Sequence, residues 1–420
     1  MSEPEMTIPH LFRCPISLDL FEDPVTLCTG QTYDRSSIEK WLGSGNLTCP
    51  VTMQKLHDPS IVPNHTLRHL IHQWLQLGPQ FHPGNSATID SLAALKHTLL
   101  SQEDDGSLEN KLEALEKINA FFSDEYCSFS RSCFLQLGFL PMLLELVFGG
   151  RTTEESHAVS NNDHMKFVEL AISCIMKLLH LGNDDLEALN IIKDDESKLA
   201  TFVLLFENGT NSVKSSLCHV IESASSSETT QELCYIFGNT QKLVHEIVLV
   251  LVQNCDASED AVKAISALCS LNSNRESLVR EGAIEGILRY ISMISSSSGN
   301  ETTQIRGQNK KLLAPMALGI VVKLLELESG RETLVNHPNG VDTLVKMVFS
   351  VKCDQDCSEG AVEALSLVCC DYMHAREQAI GAGVITKLLL LMQSHCATTT
   401  KSKARMLLKL FKSKWIQMSK

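Results

Sequence analysis

The chain has 420 residues, 44% of them apolar but only 5% aromatic, and its formal net charge is −14. That length exceeds one compact core and suits a small module followed by a repeat array, while the acidic balance argues against general nucleic-acid binding, whose domains are usually basic. The 15 cysteines are scattered rather than packed into a short framework, as in a reduced cytosolic or nuclear protein.

Residues 8–78 mix short strand-like runs with turn residues and two helical patterns. Phe12-Arg13-Cys14-Pro15-Ile16-Ser17-Leu18-Asp19 reads as one loop and Cys49-Pro50-Val51-Thr52 as a second. Between them, Asp23-Pro24-Val25 and Thr29-Gly30-Gln31-Thr32-Tyr33-Asp34-Arg35 predict a hairpin turning at Gly30. Asp34 is placed to cap a helix over Arg35–Leu42, which carries Trp41, and Asn64 to cap a second with Leu67, Leu70, Ile71 and Trp74 at helical spacing. A cross-braced zinc fold needs Cys-x-x-Cys pairs. Here Cys14 is followed three places on by Ser17, and Cys49 by Thr52. Neither hydroxyl is a good zinc ligand, so no metal is expected and Cys14, Cys28 and Cys49 read as buried small residues.

Residues 81–107 form a Pro-, Gly-, Ser- and Asp-rich connector, with an apolar stretch at Ile89–Leu100 that could already be helix. Residues 108–415 are helical in pattern and repeat themselves. Ser258-Glu259-Asp260-Ala261-Val262-Lys263-Ala264-Ile265-Ser266 matches Ser358-Glu359-Gly360-Ala361-Val362-Glu363-Ala364-Leu365-Ser366. Arg275-Glu276 and Gly282-Ala283-Ile284 likewise match Arg376-Glu377 and Gly383-Val384-Ile385. A weaker copy spans Leu318–Leu327 to Gly340-Val341, and echoes begin near Gly138, Leu199 and Leu243. The tight intervals are about 40 residues, the armadillo/HEAT period, giving about six units. The longer intervals hold polar insertions, Gly149–Asp163 and Ser295–Gln308, expected as exposed loops. Stacked units bury a continuous core and leave a long groove. Its lining is expected from the last helix of each unit, near 139–148, 199–206, 243–252, 284–294, 341–349 and 384–393. The most apolar run, Leu312–Leu327, contains Lys323 and is shorter than the roughly 20 residues of a membrane span. The basic Lys401–Trp415 segment alternates cations with Met406, Leu407, Leu408, Leu410 and Phe411. It reads as a helix capping the array, with a membrane-surface helix as the rival.

Residues 8–78 resemble the U-box, the metal-free relative of the RING domain, nearly end to end. With the armadillo-like half, the chain resembles the plant U-box/armadillo ubiquitin ligases. The resemblance implies a mainly α protein: a small α+β U-box at 8–80, a linker at 81–107 and an α-solenoid at 108–415. It implies that the U-box binds a ubiquitin-charged conjugating enzyme through Ile16, Trp41 and Pro50, and that a protein substrate lies on the armadillo-like groove. Ubiquitin then passes directly to substrate lysines, with no covalent intermediate on the ligase and no cofactor; this is catalysis by positioning. Ser17, Asp23, Asp34, Arg35 and Thr52 are the expected bracing network in place of zinc. Trp41 suits core or contact equally, since an indole can serve both. Where many relatives carry a basic residue bridging conjugating enzyme and ubiquitin, this chain has Met53, and a thioether makes no charge-assisted hydrogen bond. Relatives of this type often act in stress or immune signalling, and a cytoplasmic or nuclear location follows.

Three rival readings carry different signatures. A cysteine relay needs an activated, exposed thiolate beside a base; Cys218-His219 and His395-Cys396 are the adjacent pairs, without further motif. An import-receptor scaffold would need a Trp/Asn ladder in the repeats, whereas the three tryptophans are Trp41, Trp74 and Trp415. A non-catalytic armadillo pseudo-ligase would follow if Met53 abolished transfer.

Overall fold

The computed structural model describes residues 10–76, 86–101, 107–122, 134–149 except 136, 161–179, 183–296 except 254, 304–349 and 355–418. The insertion loops fall largely outside these residues, as do 81–85 and 102–106 of the connector and the side chains of Trp74 and Trp415. Contacts divide the chain into two compact units. One comprises Met1–Met142 with Val159–Leu181, the other Leu143–Ala158 with Gly182–Lys420.

The first unit opens with a 3-10 turn at His10–Phe12 and a three-stranded antiparallel sheet. Its strands β1 (Pro24–Thr26), β2 (Thr32–Asp34) and β3 (Val62–Pro63) lie in the order β2-β1-β3. Register pairs Val25 with Tyr33 on one side and with Pro63 on the other. Gly30 turns the hairpin at φ +78°, a conformation that costs glycine nothing. Helix α1 (Arg35–Gly43) starts at Asp34, whose carboxylate accepts the Ser36 N–H. Helix α2 (His65–Gln76) starts at Asn64, whose Oδ1 accepts the Leu67 N–H at 3.0 Å. Phe12, Val25, Tyr33, Ile38, Leu70 and Ile71 fill the core.

Within the stretch expected as a connector stands α3 (Ser86–Leu100). Leu92 and Leu99 are fully buried, and the helix packs on the 3-10 turn and on α4 (Ser107–Phe121). Its seven-residue spacing of leucines supplies one apolar face, and burying that face outweighs the polar composition around it. Phe122, Phe134 and Phe139 stack edge-on and tilted at 4.8–5.0 Å between centroids. The last helix of this unit is α6 (Asn161–Leu179), which follows α5 (Phe139–Phe148) and lies along α4.

Among the described residues the second unit holds residues 143–148 of α5, a 3-10 helix (Asn183–Ile192), α7 (Glu196–Asn208) and four successive triplets, followed by one closing helix. The triplets are α8 (Asn211–Ala224), α9 (Gln231–Asn239) and α10 (Gln241–Val252); α11 (Ser258–Leu268), α12 (Asn272–Arg280) and α13 (Ala283–Ser296); α14 (Gln304–Leu324), α15 (Glu328–Asn336) and α16 (Gly340–Val348); α17 (Gln355–Asp371), α18 (Met373–Gly381) and α19 (Val384–Gln393). Helix α20 (Thr398–Met418) closes the series. Like elements stack on like: α8, α11, α14, α17 and α20 form one ladder, and α7, α10, α13, α16 and α19 another. The second ladder is made of five of the six helices expected to line a groove; the sixth, near 139–148, is α5. This is the mainly α, armadillo-like solenoid read from the repeats. In the second and fourth triplets the short middle helix ends at a left-handed glycine, Gly282 (φ +85°) or Gly383 (φ +81°), and an apolar helix opens directly after it. Among the described residues no helix is long and apolar enough to cross a membrane.

Candidate functional site

The two loops of the N-terminal module are geometric twins. In the first, Leu18 N–H returns to Cys14 O at 2.8 Å while Cys14 N–H bonds Asp19 O at 2.8 Å. In the second, Met53 N–H returns to Cys49 O at 2.9 Å and Cys49 N–H bonds Gln54 O at 2.9 Å. Each turn ends on a non-glycine residue in the left-handed region, Leu18 at φ 64° and Met53 at φ 59°. That conformation costs an L-residue roughly 1–2 kcal/mol, so it persists only where the surroundings enforce it.

What enforces it is a pair of neighbours at the end of β2. Alternation sends Tyr33 and Asp34 to opposite faces, and both are buried. Tyr33 reaches the second loop: its hydroxyl accepts the Val51 N–H at 3.1 Å and lies 3.0 Å from Cys49 Sγ. Asp34 reaches the strand leaving the first loop: Oδ1 accepts the N–H groups of Glu22 and Asp23, both at 2.9 Å, and Oδ2 accepts the Ser36 hydroxyl at 2.8 Å. The Asp34 N–H in turn donates to Cys14 Sγ at 3.3 Å. Burial raises the pKa of Cys49, but the hydroxyls of Thr29, Thr52 and Tyr33 lower it to about 6. Burial likewise raises Cys14, and the backbone amides of Asp34, Ser17 and Ile16 with the Ser17 hydroxyl bring it below its ordinary value. Among the described residues no three His, Cys, Asp or Glu side chains converge as a metal site.

The other expected bracing residues sit differently. Asp23 gathers two arginines, Arg35 at 2.7 Å and Arg68 from α2. These side chains are a third or more exposed, so the pairs are worth about 1 kcal/mol or less, not the several of a buried pair. Ser17 and Thr52 are exposed and stay within their own loops, Ser17 Oγ accepting the Asp19 N–H at 3.4 Å. Tyr33 and Arg68 escaped the sequence reading. A tyrosine in a short strand reads as core, and only its position beside Asp34 hints at more.

Of the expected contact residues, Ile16 is 36% exposed at the tip of the first loop. Pro50 and Trp41 are half-buried. The Trp41 indole N–H is used internally, donating to Thr48 O at 2.9 Å. That bond fixes α1 to the second loop and leaves part of the ring outward. Around them stand Leu18 (68%), Leu47, Val51 and Met53 (71%), all exposed. This density of solvent-facing apolar side chains on a small module marks an interaction surface. The equivalence of Cys-Pro-Ile-Ser-Leu and Cys-Pro-Val-Thr-Met was the available signal for Leu18 and Val51.

Of the two adjacent Cys/His pairs, Cys218-His219 does not form a nucleophile. Cys218 is fully buried, and burial with the nearby Asp260 carboxylate holds its thiol well above the ordinary value. His219 turns instead to Asp260 and Glu222, at 3.2 Å each.

Comparison with known proteins agrees with both halves. Residues 8–78 match the family model for the U-box domain, and residues 92–420 match that for the plant U-box protein ARM repeat region. U-box domain-containing protein 26 of Arabidopsis thaliana is 31% identical, over 97% of this chain and 92% of its own. E3 ubiquitin-protein ligase PUB22 of the same plant is 26% identical over 98% and 96%. Among solved structures, Uso1-2 shares the fold at a TM-score of 0.52 with 12% identity, over 78% of this chain and 56% of that one.

Proposed function

Because the chain belongs to the family of plant U-box proteins with an armadillo-repeat region, we propose that it is a U-box-type ubiquitin ligase. The module at 8–80 binds a ubiquitin-charged conjugating enzyme through Ile16, Trp41 and Pro50. The repeats at 108–415 hold a protein substrate, and ubiquitin passes directly to its lysines. The observation that carries the reading is the apolar surface on two twin loops, held rigid by Tyr33 and Asp34 behind it. A rigid shallow surface suits catalysis by positioning: it fixes a reactive partner's orientation and contributes no nucleophile of its own. Asp34, Asp23 and Arg35 support the loops, and Ser17 and Thr52 stay within them.

The test is a ubiquitination assay across a panel of conjugating enzymes, with binding measured separately. Truncating an apolar anchor typically costs about 1–4 kcal/mol, at the low end roughly tenfold in affinity. Ile16→Ala should therefore nearly abolish chain formation with an unchanged circular dichroism spectrum. If Ile16→Ala performs like the wild type with every active conjugating enzyme, the surface is misassigned. A second reading, the pseudo-ligase, draws on Met53, which projects from its turn 71% exposed and without a charge to bridge ubiquitin. Wild type that binds conjugating enzymes but promotes discharge from none of them would favour it.

A further inference from the structure

Helix α20 carries six basic residues and no acidic one, in a chain of net charge −14. Thr400, Ala404, Leu407 and Phe411 recur at i, i+4, i+7 and i+11, and all four are buried. They close the apolar end of the array against α17 and α19. That apolar face packs on the array and is not free to insert into a bilayer; of the other described apolar side chains on the helix, Met406 is exposed and Leu408 and Leu410 are half-buried. The opposite face is a different matter. Arg405, Lys409 and Lys412 recur at i, i+4 and i+7, all exposed, along roughly 10 Å of helix. Among the described residues none of the three is ion-paired, whereas Lys403, on the flank, is held by Glu363 of α17 at 2.9 Å. The neighbouring α19 contributes no carboxylate to offset them.

We propose that this face of α20 docks the protein on an anionic membrane surface. Three points select that partner. The charges lie in one straight row on a helix anchored from behind, so they meet a plane together. The spacing is close to the Debye length of about 8 Å at physiological salt, so the row acts as one cationic strip on a surface it touches. Among the described side chains of α20 the row lacks the aromatic or aliphatic anchors that protein interfaces concentrate their affinity in, with Met406 the one large apolar side chain exposed along it. The rest of the chain is acidic, so repulsion elsewhere orients the molecule with α20 towards the lipid. The binding is peripheral and reversible, and it is independent of the ligase reading.

The full-length protein should co-sediment with phosphatidylcholine vesicles containing phosphatidylserine, and not with phosphatidylcholine alone, and raised salt should release it. Each basic residue near such a surface contributes roughly fivefold in affinity. The triple variant Arg405→Gln/Lys409→Gln/Lys412→Gln should therefore bind on the order of 100-fold more weakly. The charge-preserving Arg405→Lys/Lys409→Arg/Lys412→Arg should bind like the wild type, as should the control Lys40→Gln/Lys117→Gln/Lys346→Gln, which removes three exposed cations elsewhere. Melting curves check that each variant folds. Wild type that fails to sediment, or a triple variant that sediments equally, overturns the proposal. Wild type that ignores vesicles yet is retained on immobilised polyglutamate through these three residues overturns it in favour of an acidic protein partner.

Discussion

Replacing Asp34 by alanine probes the brace that stands where a RING fold would hold metal. The carboxylate, 7% exposed, accepts the backbone N–H groups of Glu22 and Asp23 and the N–H and hydroxyl of Ser36. Alanine leaves the two loop donors without partners, at about 1–2 kcal/mol each, and removes the cap of α1, at about 1 kcal/mol. The total, about 3–5 kcal/mol, is a large fraction of the 5–15 kcal/mol that holds a typical domain folded. Hydrogen exchange on the full-length protein reads it locally. The amides of Glu22, Asp23 and Ser36 should exchange at least 100-fold faster in Asp34→Ala, and Asp34→Asn, which keeps one acceptor oxygen, should recover part of the protection. Tyr33→Phe should instead expose Val51 and the second loop, costing about 1–2 kcal/mol, and spare Glu22 and Asp23. If Asp34→Ala changes local protection by less than 1 kcal/mol, or if both variants open both loops alike, the division of labour between the two residues is wrong.

Three further outcomes follow from other parts of the molecule. A Cβ at Gly238 would lie 2.3 Å from Asn274 Cγ; because the buried Asn274 amide holds Cys234 O and Leu268 O at 3.1 Å each, Gly238→Ala should cost about 2–4 kcal/mol by urea denaturation. The Asp260 and Glu222 carboxylates raise His219 to about 9 despite its burial. Its contribution to stability is therefore fully present below the ordinary histidine value of about 6.5 and is lost as pH rises through about 9, so melting between pH 7 and 9.5 should fall more in the wild type than in His219→Gln, by about 1–2 kcal/mol. Elemental analysis should find no stoichiometric zinc, and a chelator should leave the melting curve unchanged, since Cys14 and Cys49 are engaged with Asp34 and Tyr33; one bound zinc per chain would refute this.

The residues that were legible in the sequence are those whose role is local. Asp34 announces a helix cap because capping needs only a short acceptor side chain before an apolar-periodic run, and Gly282 and Gly383 announce helix breaks because few other residues take their backbone conformation. The duplicated Ser-Glu-x-Ala-Val block likewise gave the solenoid, since a repeated unit must stack on its copy. What sequence alone missed is non-local. The reach of Tyr33 to Val51 spans 18 residues, and Arg68 meets Asp23 across 45; no spacing rule encodes either. Ser17 and Thr52 were overvalued for a related reason. Standing at ligand positions, they suggested a cross-brace, yet a short hydroxyl side chain cannot span two loops, and the longer phenol and the backbone amides around Asp34 do so instead. Helix α3 was legible in part: the apolar stretch at Ile89–Leu100 already suggested a helix inside the connector, while its packing on the 3-10 turn at His10–Phe12 is non-local and had no sequence signal.

Single-turnover discharge of ubiquitin from a charged conjugating enzyme to free lysine isolates direct transfer promoted from the twin loops from substrate binding. With at least one conjugating enzyme the wild-type chain should accelerate discharge, Ile16→Ala should not, and Met53→Arg should accelerate it further by supplying the missing cation. No acceleration by either the wild type or Met53→Arg, with every conjugating enzyme tried and with the fold intact, would contradict the ligase reading.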